Sequence, residues 1–179
     1  MGPPAGFGPP PKKSKLRFLR ILIPVLVLVV GGIFAVVNFA TTPASSNAGD
    51  CLSITEFNDN ADPAKAECGD PKANVKIAVK LDSGNDSCPK GDYDEYSVTG
   101  RSSYKLCLMI NAKQGDCFAN FTSKTAGYLK VPCSDPTKDA EFVKIVEGQA
   151  DENICQGTDA TRAAVYPQPA TTMCVKSEK

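Results

Sequence analysis

Eight cysteines constrain this chain more than any other feature. All lie on the C-terminal side of one long apolar run, in two sets of four: Cys51, Cys68, Cys88 and Cys107, then Cys117, Cys133, Cys155 and Cys174. Successive gaps are 17, 20 and 19 residues in the first set and 16, 22 and 19 in the second. Near-repetition of this kind reads as a duplicated module. An even number of cysteines at regular spacing reads as a disulfide framework suited to an oxidising compartment. No Cys-x-x-Cys pair occurs, so a thioredoxin-like dithiol is not expected, and the gaps lack the close pairs that zinc knuckles use.

The two halves also share local wording. Gly49-Asp50-Cys51-Leu52 answers Gly115-Asp116-Cys117-Phe118, and Cys68-Gly69-Asp70-Pro71 answers Cys133-Ser134-Asp135-Pro136. Ala73 to Val79 aligns with Ala140 to Val146, and Leu106-Cys107-Leu108 with Met173-Cys174-Val175. The expected modules are residues 49–111 and 115–179.

Each module reads as short strands joined by turns. Val75, Ile77, Val79 and Leu81 alternate with Lys76, Ala78 and Lys80, the period of a half-buried strand, and Tyr104, Leu106, Leu108 and Ile110 alternate in the same way around Cys107. Tyr128 to Cys133, Phe142 to Val146 and Thr172 to Lys176 are further strand expectations. Asp70-Pro71 and Asp135-Pro136 mark turns, because the residue before proline avoids the helical region and Asp bonds its own turn backbone. Asp92 to Tyr96 and Asp159 to Val165 are expected as short helices. The fold class is therefore mainly β, with α+β as the alternative: two tandem disulfide-stapled modules behind one N-terminal transmembrane helix.

A module of this size is marginal unaided, and closing a loop of about 17 residues by a disulfide contributes roughly 3 kcal/mol. Four cysteines allow three pairings per module. First with second and third with fourth is favoured, giving Cys51–Cys68, Cys88–Cys107, Cys117–Cys133 and Cys155–Cys174. The Gly-Asp-Cys strand and the following cysteine-ending strand would then be hairpin neighbours. First with fourth is the main rival.

The apolar run, Ile21 to Phe39, holds one polar residue, Asn38. At about 1.5 Å per residue it spans roughly 28 Å, close to a bilayer core of ~30 Å. It is too long for a signal-peptide h-region, and no lipobox precedes a cysteine. Lys12, Lys13, Lys15, Arg17 and Arg20 precede it, which places residues 1–20 in the cytoplasm, residues 21–39 in the membrane and the C-terminal part outside the cell membrane. Pro3-Pro4 and Pro9-Pro10-Pro11 make the tail a solvated stretch, or a polyproline ligand for a cytoplasmic groove. Residues 40–48 read as a polar linker without structure of its own.

Those five cations are a quarter of the 20 basic residues, so the rest of the chain sets 15 against 20 acidic ones, a net charge near −5. An acidic body lacks the basic face that nucleic acid requires. The sequence contains no histidine, which excludes Ser-His and Cys-His triads and most zinc sites.

The doubled Gly-Asp-Cys, the Cys-x-Asp-Pro turns, Leu106-Cys107-Leu108 and the Tyr166-Pro167…Thr172-Met173-Cys174 ending resemble the LppU-like family of actinobacterial envelope proteins. The Pro/Gly-rich tail before an apolar segment also looks like anchored members of that group. The likeness runs from Gly49 to Val175. It implies an extracytoplasmic, disulfide-bonded body and carries over no activity.

Among residues with chemistry to offer, Asp50 and Asp116, and Asp70 and Asp135, occupy matching places. No loop has the dense Asp/Asn/Gly pattern of a calcium site, so turn and cap duty is the expectation. Asp92, Tyr93, Asp94, Glu95 and Tyr96 form the best sugar- or cation-binding candidate, with a solvated helix or loop face as the plainer reading. Asn85-Asp86-Ser87 and Asn120-Phe121-Thr122 read as turns. No catalytic residue, metal or cofactor is expected. The expected function is non-enzymatic binding or scaffolding in the cell envelope, with an envelope protein or wall glycan as partner. An envelope enzyme, wall-modifying or redox, and the ectodomain of a sensor are the alternatives.

Overall fold

A computed structural model of the chain describes Gly2 and residues 43–177. The apolar run Ile21–Phe39, the basic tail and the start of the 40–48 stretch lie outside the described residues. Among the described residues, no helix is long and apolar enough to cross a membrane.

The fold is mainly β. Ten strands run in order: β1 Cys51–Ser53, β2 Ala64–Ala66, β3 Val75–Leu81, β4 Asp94–Val98, β5 Tyr104–Ile110, β6 Cys117–Ala119, β7 Leu129–Val131, β8 Ala140–Glu147, β9 Arg162–Pro167 and β10 Ala170–Ser177. They form two antiparallel five-stranded sheets of equivalent order, β2-β1-β3-β5-β4 and β7-β6-β8-β10-β9. Even the irregularities repeat. On β3 the pairing with β5 skips Ala78, between Ile77↔Leu108 and Val79↔Cys107. On β8 the pairing with β10 skips Val143, between Phe142↔Val175 and Lys144↔Cys174. A bulge thus sits beside the last cysteine of both modules.

The registers correct one alignment made from sequence. Val75 pairs with Leu52 and Ala140 with Phe118, so Val75 is the equivalent of Ala140 and Ile77 of Phe142. The sequence alignment was off by two residues. It still assigned the right faces, because the side-chain period of a strand is two. Both proposed helices are instead strand and loop: Asp94–Val98 is β4, and Arg162–Pro167 is β9. Pairing with β5 and β10 supplies a ladder that overrides weak local propensity. The short helical turn in that part of module 2 lies earlier, at Glu152–Cys155, with Asp151 accepting from the Asn153 N–H.

Four disulfides join first with second and third with fourth cysteine: Cys51–Cys68, Cys88–Cys107, Cys117–Cys133 and Cys155–Cys174. The first and third bridges lock β1 to the end of β2 and β6 to the end of β7, the hairpin arrangement that the short spacing favours. The other two tie a loop to the central strands β5 and β10. Loops of 16 to 19 residues each contribute about 3 kcal/mol by limiting the unfolded chain.

Residues 43–177 lie in one compact unit. A smaller cluster, Leu52, Ile54, Val75, Ile77, Leu106 and Leu108, belongs to the first module. The larger cluster is shared: Ala78, Met109 and Ile110 of the first module pack with Phe118, Phe121, Phe142, Tyr166 and Val175 of the second. The Ala78 bulge lets one strand serve both, Ile77 facing its own core and Ala78 the shared one. Sharing also explains why β5 is buried on both faces, from Lys105 to Ile110, where simple alternation predicts one wet face. The end of the expected linker is ordered as well. Pro43–Ser45 make a 3-10 turn, Ser46 is fully buried, and the Lys80 ammonium donates to the Ala44 and Ser46 carbonyls at 2.8 Å each.

Candidate functional site

The matching aspartates perform turn duty. Asp50 Oδ2 accepts from the Asn47 N–H at 2.9 Å and Asp116 Oδ2 from the Lys113 N–H at 2.8 Å. Asp70 Oδ1 and Asp135 Oδ1 each accept, at 2.8 Å, from the N–H two residues on. Backbone donation by Asn47, then Lys65, holds the Asp50 carboxyl below the usual carboxylate range. Lys65 lies 2.9 Å from Asp50, and Lys130 repeats the pair less tightly at 3.8 Å from Asp116. Asn120 sits at φ 63°, in keeping with a turn. Among the described residues no group of three metal-ligating side chains occurs.

The five-residue candidate divides at the module seam. Asp92 and Tyr93 bind the second module: the Asp92 N–H donates to the Val165 carbonyl at 3.0 Å, and the Val165 N–H to Asp92 Oδ2 at 2.7 Å. The Tyr93 hydroxyl lies 2.8 Å from both the carbonyl and the N–H of Gln168, and its ring packs edge-on against Tyr166. Gly91 permits this approach, since a Cβ there would come 2.9 Å from the Val165 carbonyl. Strand β9 is thereby covered at its outer edge, and these two residues are structural.

Asp94, Glu95 and Tyr96 belong to β4 and line a cleft of about 510 Å³. Its opposite wall is the loop between β1 and β2, contributing Phe57, Asn58 and Asp59, with Ile54 and Leu108 also lining it. Asp94 Oδ2 accepts from the Tyr128 hydroxyl at 2.9 Å. Burial pushes the Asp94 carboxyl up, and the Tyr128 hydrogen bond offsets part of that rise. Burial and the Asp94 charge together push the Tyr128 phenol far up, so it remains a donor. The Tyr128 ring stacks between Phe57 at 4.9 Å and Phe121 at 5.6 Å. Glu95 pairs with Lys105 at 2.8 Å. Burial, then the Asp62 charge, raises Tyr96.

The site is thus a half-enclosed cleft with aromatic and carboxylate lining, suited to a ligand that carries positive charge beside apolar groups. The sequence reading did not single out Phe57, Asp59 or Tyr128. No periodicity marks the first two, which reach β4 only because the β1–β2 loop folds over the first sheet. The loop is fixed across the seam: the Phe57 N–H donates to the Thr125 carbonyl at 2.7 Å and the Gly127 N–H to the Thr55 carbonyl at 2.8 Å. Buried Asn74 reinforces it, accepting from the Ile54 N–H and donating to the carbonyls of Ile54 and Tyr128. No family model, curated protein or solved structure matches this chain.

Proposed function

We propose that this is a single-pass, membrane-anchored extracytoplasmic protein that binds or scaffolds a component of the cell envelope without catalysing a reaction, with the cleft along β4 as its binding site. The observation that carries the reading is the cleft itself, about 510 Å³ with aromatic and carboxylate lining, on a body held by a shared core and four disulfides. The stapled framework supports an oxidising compartment. The apolar run Ile21–Phe39 with its basic flank supports the anchor and its orientation. The resemblance to LppU-like envelope proteins supports the same location.

Photo-crosslinking from position 96 of the full chain in living cells tests it. Tyr96 lines the cleft, whereas Lys176 is exposed on the second sheet and away from it. A discrete adduct from position 96, absent from position 176, is expected. A protein adduct names an adaptor's partner, and a wall adduct names a glycan. Equal labelling from both positions, or none from position 96, overturns the reading.

A further inference from the structure

Four consecutive residues of β4, Asp94, Glu95, Tyr96 and Ser97, line the cleft. Successive side chains of a strand point to opposite faces, so a cavity that touches four in a row must run along the strand's edge, where the backbone is exposed. The pairing shows which backbone groups face it. The Asn111 N–H bonds the Asn74 carbonyl, and Ile77 bonds Gly49 and Asp50 through both its backbone groups. Odd-numbered residues of β5 therefore bond β3, and Leu106 and Leu108 turn toward β4. They bond Tyr96 and Asp94, which leaves the N–H and C=O of Glu95 and Ser97 directed away from the sheet. Among the described residues no hydrogen bond reaches those groups from outside the sheet. Two donors and two acceptors, in sets about 7 Å apart, thus lie along the side of the cleft that β4 forms.

We infer that the cleft takes an extended, cationic peptide segment, which pairs with Glu95 and Ser97 as a sixth strand of the first sheet. The inference rests on the reading of the cleft as a binding site and names the ligand class. Backbone pairing would supply the affinity and alternate side chains the selectivity, the mode known as β-augmentation. The charge of the cleft selects the segment. Its lining holds Asp59, Asp94 and Glu95 and no lysine or arginine, and Asp62 acts on Tyr96 from nearby, while Lys105 answers Glu95 alone. Phe57, Tyr96 and Leu108 provide apolar contacts for the intervening residues. A second copy of this chain is a poor occupant, because β4 against β4 would bring these carboxylates together.

The test uses the full chain in mild detergent with a capped eight-residue peptide alternating Val and Lys. Controls are the same peptide with Glu in place of Lys, and a version N-methylated at alternate nitrogens. Binding of the Lys peptide is expected, weakening with salt, with amide shifts at Glu95 and Ser97. The Glu and N-methylated peptides should bind at least about tenfold more weakly. Ser97→Pro removes one outward donor from an edge strand without disturbing the β4–β5 ladder, and should weaken binding about tenfold, whereas Ser97→Ala should leave it unchanged. Unchanged disulfides and melting temperature establish that the Pro variant folds. Equal binding of the Lys and N-methylated peptides, or no effect of Ser97→Pro in a folded chain, overturns the proposal. So does failure of the Lys peptide to bind at millimolar concentration. An adduct from position 96 with wall glycan alongside such a failure would remove the peptide and keep the binding site.

Discussion

Strands β4 and β9 occupy the same place in their sheets, each the outer neighbour of the strand bearing its module's last cysteine. Their outer edges differ. The loop carrying Asp92 and Tyr93 belongs to the first module and closes the edge of β9 in the second. No equivalent loop returns the favour to β4, where the cleft lies. Position by position, Asp94 of β4 corresponds to Arg162 of β9, the two facing Leu108 and Val175 in register. Asp94 is held by Tyr128, while the Arg162 guanidinium lies 5.2 Å over the Phe121 ring. Two modules of equivalent strand order that pack against each other divide such tasks. One copy spends its loop on the seam and keeps an open edge, and the other gains cover.

The largest effect should come from the residue pair that anchors each loop. Asn74 and Asp139 are equivalents, each following a turn and each bonding back to Leu52 or Phe118 through its N–H. Asp139 only accepts, from the N–H groups of Phe121 and Thr122. Asn74 also donates, to two carbonyls, at 4% exposure. Asn74→Asp would bury a charge facing the carbonyls of Ile54 and Tyr128, and should cost about 3–5 kcal/mol. Asp139→Asn should cost about 1 kcal/mol. Urea denaturation of both variants checks the pair, and equal losses would show that the seam does not need the amide donor.

Next is Tyr128→Phe, which keeps the ring contacts with Phe57 and Phe121 and removes the hydroxyl that donates to Asp94. A loss of about 1–3 kcal/mol is expected, since a largely buried carboxylate loses its partner. The counterpart in the second module, Arg162→Gln, should cost about 0.5–1 kcal/mol. A reversed order would mean that the cation over Phe121 matters more to the seam than the Tyr–Asp pair.

A smaller change, about 1 kcal/mol, should follow Asp92→Ala, which deprives the Val165 N–H of its acceptor at 2.7 Å. The informative readout is hydrogen exchange at Val165, expected to rise toward that of Ser97 at the equivalent place on β4. Unchanged protection at Val165 would mean that Tyr93 alone keeps the edge of β9 closed.

How far this asymmetry could be read from the residues alone depends on range. Strands β3 and β5 coincide with the alternating runs Val75–Leu81 and Tyr104–Ile110, because local period and burial agree there. Spacing alone leaves three disulfide pairings per module open, and the observed one is that favoured by expecting the Gly-Asp-Cys strand and the following cysteine-ending strand as hairpin neighbours. β4 was hidden, because Asp94, Glu95 and Tyr96 carry no apolar alternation and are recruited by pairing with Leu106 and Leu108. The five-residue candidate spans two environments, the seam at Asp92 and Tyr93 and the cleft at Asp94, Glu95 and Tyr96. Two of its members are engaged by β9 and the turn after it, 73 and 75 residues away, and no local signal marks those bonds. Phe57 and Asp59 join β4 through a loop whose position is set across the seam, a non-local fact.

The smallest expected effect is a pH dependence whose first limb belongs to the first module, while the second is shared with Asp135, which the Thr137 hydroxyl and N–H hold low. The Asp94 carboxyl is raised by burial, so the folded protein takes up a proton there before the unfolded chain does. Its contribution to stability therefore increases as pH falls from neutral through the raised value, and is complete once pH drops below the ordinary carboxylate value of about 3.9. Asp50, held low by Asn47 and Lys65, acts in the opposite sense below that value: its contribution is present above it and is lost as pH falls through the depressed one. The two limbs predict a shallow gain on mild acidification followed by a loss. Asp94→Asn should flatten the first limb and leave the second, because an amide keeps an acceptor for Tyr128 and cannot titrate. Arg162→Gln, at the matching place on β9, removes no carboxyl and should leave the shape of the profile unchanged. Denaturation midpoints of the three proteins measured from neutral pH to about 3 decide it. A first limb that survives Asp94→Asn would assign the dependence elsewhere and remove the carboxyl of β4 as the group that distinguishes the open edge from the covered one.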